Sequence, residues 1–87
     1  MEFEVSWMPQ ARKKLEKLSQ ENALAIIRKV EEAKSNPFHF LERLAGSKAY
    51  KLRIGDFRAI IDIKTNAKKL EVITVGHRKD VYQKGFD

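Results

Sequence analysis

Residues 49–64 read AYKLRIGDFRAIIDIK, a β-hairpin by their alternation. Successive side chains of a strand point to opposite faces, so Tyr50, Leu52 and Ile54 share one side while Lys51 and Arg53 share the other. Gly55-Asp56 supplies a two-residue turn, because glycine takes the positive φ that a type II′ hairpin needs. That register sets Ile54 opposite Phe57, Arg53 opposite Arg58, and Lys51 opposite Ile60. Phe57, Ala59, Ile61 and Ile63 complete the apolar face; the other face stacks Lys51, Arg53 and Arg58, with Asp62 farther along.

Like charges placed directly opposite each other destabilise a sheet, by up to about 1 kcal/mol. One reading is a solvated face whose long side chains splay apart. The other is an anionic partner outside the chain. Arginine offers planar, bidentate donors to phosphate, and clustered cations suit the charge that develops on a pentacoordinate phosphorus. Places where a local rule fails tend to be functional.

Outward from the hairpin, the opening FEVSW alternates Phe3, Val5 and Trp7 with Glu4 and Ser6, a half-buried strand. Pro9 fits the first turn of a helix whose inner positions are Ala11, Leu15 and Leu18. Ser19 caps a second helix with Ala23, Ile26, Ile27, Val30 and Ala33 as its buried stripe, and Asn36-Pro37 ends it. So short a connection predicts an antiparallel αα-hairpin. Pro37 to Lys48, with Phe38, Phe40, Leu41 and Leu44, reads as a loop tucked against the core. A last strand spans about Leu70 to Val75, and the tail GHRKDVYQKGFD follows. The expected fold is α+β: a β-α-α-β-β-β order, with the αα-hairpin packed on a small, mainly antiparallel four-stranded sheet and a short C-terminal tail. Eighty-seven residues favour one domain, 1–87.

Composition narrows the function. Hydrophobic residues are 43% and charged residues 34%, which reads against both a disordered and a membrane-spanning chain. MEFEVSW has no basic n-region, and cysteine is absent, so a reducing cytoplasm is the expected location, without disulfides or a metal site. Met1 to Ser47 carries 8 Lys+Arg against 7 Asp+Glu, whereas Lys48 to Asp87 carries 10 against 5. The basic excess of the +6 chain therefore belongs to the half holding the hairpin, and polyanions are its natural partners. In the tail, Arg78 is a further phosphate contact, Tyr82 can stack on a base, and His77 is a candidate for proton transfer.

YKLRIGDFRAIID and VITVGHRKDVY, after a β-α-α start containing PQARKKLEKL, resemble the RelE toxins of the RelE/ParE superfamily over essentially the whole chain. The specific elements are the Y-K-x-R pair, the arginine just past the turn, and the closing G-x-R…V-Y. This resemblance implies a type II toxin: a ribosome-dependent endonuclease that cuts mRNA in the A site of the 30S subunit and is silenced by a cognate RelB-like antitoxin. It implies contact with DNA only through the antitoxin complex and no cofactor. Lys51, Arg53, Arg58, Arg78 and Tyr82 then fall on the catalytic positions, serving metal-free attack of a 2′-hydroxyl on the adjacent phosphate. Lys13, Lys17, Lys48 and Lys79 are candidates for RNA or ribosome contact. Arg53 stands where the best-known member has a second lysine, and the arginine-to-tyrosine interval is two residues shorter. Alternatives are a ParE-like, non-enzymatic poison of DNA gyrase and an inactive RNA- or ribosome-binding module.

Overall fold

A computed structural model describes residues 2–81 of the chain. Its elements are β1 (Glu4–Trp7), α1 (Pro9–Glu16), α2 (Gln20–Ala33), α3 (Pro37–Phe40), β2 (Glu42–Arg43), β3 (Tyr50–Ile54), β4 (Phe57–Lys64), β5 (Lys69–His77) and α4 (Arg78–Val81). The strands form one sheet in the order β1-β5-β4-β3-β2; β1 runs parallel to β5 and the other pairs are antiparallel. The α+β class agrees with the sequence reading, and the expected β-α-α-β-β-β order is recovered as β1, α1, α2, β3, β4 and β5; α3, β2 and α4, the last in the stretch expected to be tail, are additions to it.

Its four-stranded detail needs correcting, since the sheet has five strands. The extra one, β2, is two residues long and sets Glu42 opposite Lys51 and Arg43 opposite Tyr50. Two residues are too few to show a period of two. The stretch expected to be plain loop also holds α3, which begins at Pro37, where proline's missing N–H costs nothing.

The β3–β4 hairpin has the expected register, Ile54↔Phe57, Arg53↔Arg58 and Lys51↔Ile60. Gly55 carries a φ of +58° in the turn, as the first position of a type II′ turn requires. Ser19 Oγ accepts the N–H of Asn22 at 3.2 Å and caps α2. Ala11, Ile26, Val30 and Ala33 of the helices pack against Leu52, Ala59, Ile61, Leu70, Val72 and Val75 of the sheet. Fully burying one such Leu or Ile is worth about 1.5–3 kcal/mol over leaving it in water, so this layer fixes which hairpin face points inward.

A bulge breaks the β4–β5 ladder: Ile61 pairs with Val72 and Ile60 with Thr74, leaving Ile73 without a counterpart. On the face away from α1 and α2, Ile60 gathers Leu44, Ala49 and Val81 into a second small cluster, with Ile73 packed against it. The cationic face is therefore partly roofed by the 41–49 segment and by α4. No helix among the described residues is long and apolar enough to cross a membrane.

Candidate functional site

Lys51, Arg53 and Arg58 share the sheet face opposite α1 and α2, but in three different environments. Arg53 is exposed. Arg58, its cross-strand neighbour, is only 6% exposed, and its Nη1 donates to the carbonyls of Gly55 and Phe57, both at 2.8 Å. The buried guanidinium is thus solvated by backbone oxygens of its own turn, which is how the hairpin tolerates two opposed arginines: one bends back to the turn, the other stays in water. Lys51 is half-buried between Ile60 on one side and Glu42 on the other. Glu42 is a neighbour of opposite sign that sequence reasoning missed, because β2 leaves no pattern to read.

Arg78 opens α4, exposed, and its backbone N–H donates to the carbonyl of Asp56 at 2.8 Å. Three consecutive carbonyls, of residues 55, 56 and 57, therefore accept from two arginines: Arg58 through its side chain and Arg78 through its backbone. The turn is the point where the hairpin and the start of α4 are joined. Farther along the same face the charges balance, with Lys64 opposite Lys69 just beyond the acids. Asp62 stands opposite Glu71, and the Asp62 carboxylate accepts from Lys64 Nζ at 3.1 Å. That hydrogen bond and charge, with a smaller contribution from Glu71, raise Lys64 above the ordinary lysine value. The net positive charge of this face therefore lies at its turn end.

His77 does not join this group. It is the last residue of β5, pairs with Phe57 in register, and meets that ring edge to face at 5.8 Å, so it lies on the helix-facing side. Its Nδ1 accepts the N–H of Lys79 at 3.2 Å. There it lines a cavity of about 340 Å³ with Lys14, Lys17, Leu18, Phe57 and Asp80. Lys13 projects from α1 and Lys17 follows at its C-terminal cap, also on the helix side of the sheet, while Lys48 and Lys79 are exposed elsewhere on the surface. Tyr82 lies outside the described residues. Among the described residues, no group of three or more His, Asp or Glu side chains is gathered as a metal site would require.

The chain matches the family described as the ParE toxin of the type II toxin–antitoxin system, parDE, over residues 5–82. No curated protein sequence matches it. Solved structures similar to it include a chain of the toxin–antitoxin complex RelBE2 from Mycobacterium tuberculosis, at 20% identity over 92% of this chain and 95% of that one, with a TM-score of 0.84. The isolated E. coli RelE toxin has 20% identity, covers 93% of this chain and 92% of that one, and gives a TM-score of 0.75. A chain of the chromosomal ParDE system from P. aeruginosa has 14% identity over 86% and 95%, with a TM-score of 0.60. At such identities the structural likeness speaks for the fold, and the family match carries the assignment: the chain belongs to the ParE toxin family of type II toxin–antitoxin systems, within the RelE/ParE superfamily.

Proposed function

We propose that this toxin is a ribosome-dependent mRNA endonuclease that cuts the message in the A site of the 30S subunit. The observation that carries the reading is the turn end of the second face, where exposed Arg53 and Arg78 flank a buried Arg58, with Lys51 two residues from Arg53. In this reading the 2′-hydroxyl of the message attacks the adjacent phosphorus. A 2′,3′-cyclic phosphate forms as the bond to the 5′-oxygen breaks. Arg53 and Arg78 offset the charge developing on the phosphoryl oxygens. Lys51 and Tyr82 take part in proton transfer and stacking, one proton leaving the 2′-hydroxyl and one reaching the departing 5′-oxygen. Arg58 supports the cluster from beneath. Primer extension of a defined mRNA on programmed ribosomes tests it. Cuts at the A-site codon are expected with wild type and lost with Arg53→Ala and Arg78→Ala; intact message with wild type overturns the reading.

The family match favours one second reading, a ParE-like poison that binds DNA gyrase without cleaving RNA. Inhibition of gyrase supercoiling by the wild-type protein, with no cut message, would select it. In either case a cognate RelB-like antitoxin is the proposed partner, by likeness to the RelBE2 complex. The sheet edges β1 and β2 offer backbone for an added strand. A complex that leaves both edges and the cationic face open would contradict that mode.

A further inference from the structure

Phe38 belongs to the segment expected to tuck against the core, yet it is 58% exposed. Leu41 and Leu44 of the same segment are buried and Phe40 is half-buried, so α3 turns one aromatic inward and its neighbour out. The Phe38 ring meets Tyr50 edge to face, at 6.1 Å and 78°. The Arg43 guanidinium lies over the Tyr50 ring at 5.8 Å. Beside them Lys29 Nζ sits over Phe40 at 5.5 Å, and His39 packs edge-on against that same ring at 4.8 Å. The short elements α3 and β2 thus assemble a rim of aromatic rings interleaved with two cations. It lies on the helix side of β3, whose other side carries Lys51 and Arg53.

That mixture restricts what can cover it. A purely apolar protein surface would have to strip water from Arg43, and from Lys29 with the Glu32 carboxylate it already pairs with at 3.0 Å, without repaying them. A nucleotide answers both demands: its base presents a π-face to Phe38, and its phosphate meets Arg43. We propose that Phe38, with Arg43 beside it, is a stacking platform for a base of single-stranded RNA, distinct from the cationic face. The inference rests on the RNA-directed reading above, and its test keeps the two apart.

The measurement is fluorescence anisotropy of a labelled oligouridylate titrated with the purified protein. Phe38→Leu keeps an apolar contact with Tyr50 but has no ring, and should weaken binding about tenfold at unchanged Tm, the usual worth of one stacked base. Phe38→Trp should restore the affinity, with indole fluorescence quenched by the RNA. Wild-type affinity in Phe38→Leu overturns the platform, as does a wild-type protein that binds no RNA. Cleavage on ribosomes by a Phe38→Leu protein whose RNA affinity is that of wild type would leave the endonuclease standing and remove the platform. Phe38-dependent RNA binding without any cleavage would keep the platform and remove the endonuclease. An unchanged RNA affinity in Phe38→Leu together with weakened binding of a purified antitoxin would assign the rim to a protein instead.

Discussion

Arg53 and Arg58 stand directly opposite each other across the β3–β4 hairpin, and Arg58 turns its guanidinium back onto the carbonyls of Gly55 and Phe57 while Arg53 remains in water. The two should respond to removal with opposite signs. Arg58→Ala takes a charged donor from two carbonyls and empties a buried site, so a loss of about 1–3 kcal/mol is expected. Arg53→Gln relieves a like-charge contact in solvent and should gain a few tenths of a kcal/mol. Urea denaturation of both variants decides it. A destabilised Arg53→Gln would mean that the opposed arginines do not repel.

Two glycines lie near the turn end of this face, and only one of them is required. Gly55 has a φ of +58° and open space around a would-be Cβ, so Gly55→Ala carries only the backbone penalty, roughly 1–2 kcal/mol. Gly76 lacks a positive φ, and its would-be Cβ meets Val81 Cβ at 3.8 Å, an ordinary contact. Gly76→Ala should therefore stay within about 0.5 kcal/mol of wild type. Melting temperatures of the two variants, compared side by side, check the contrast.

These two glycines also show where the sequence was legible. The hairpin could be read because its alternation, its turn residue and its apolar face agree, and the structure follows that register pair by pair. Gly76 looked like the place where β5 lets the chain go, yet the strand continues to His77. The bulge at Ile73 shifts the parity of everything after it, which sends His77 to the helix side, away from the arginines. No local pattern announces such a bulge. Nor could residue types reveal that Arg58 bends back, since both arginines look alike until the turn carbonyls are in place.

Thr74 lies on the face away from α1 and α2, fully buried, and its Oγ1 has no hydrogen-bond partner among the described residues. A buried hydroxyl without a partner costs free energy that an isosteric methyl does not. Thr74→Val should raise stability by about 1 kcal/mol. It removes no hydrogen bond among the described residues and keeps a β-branched shape suited to a strand. A lower Tm for this variant would show that the hydroxyl is satisfied in solution, by water.

Lys64 and Asp62 give the face a pH dependence whose sign can be worked out. Lys64 is raised above its ordinary value because its ammonium donates to the Asp62 carboxylate, with Glu71 adding a smaller attraction. Folding therefore favours the protonated amine. The contribution is fully present below the unfolded lysine value, about 10.4, and is lost as pH rises through the higher folded value. Asp62→Asn removes the cause, so the stability difference between wild type and this variant should be flat through neutrality and shift against wild type only in that alkaline window. The absolute difference reads something else, because Asp62 also stands opposite Glu71 and its neutralisation relieves an acid pair. The slope with pH isolates the lysine. NMR titration of the Lys64 side-chain amine gives the direct check: a midpoint at or below that of a free lysine would mean the contact does not persist in water.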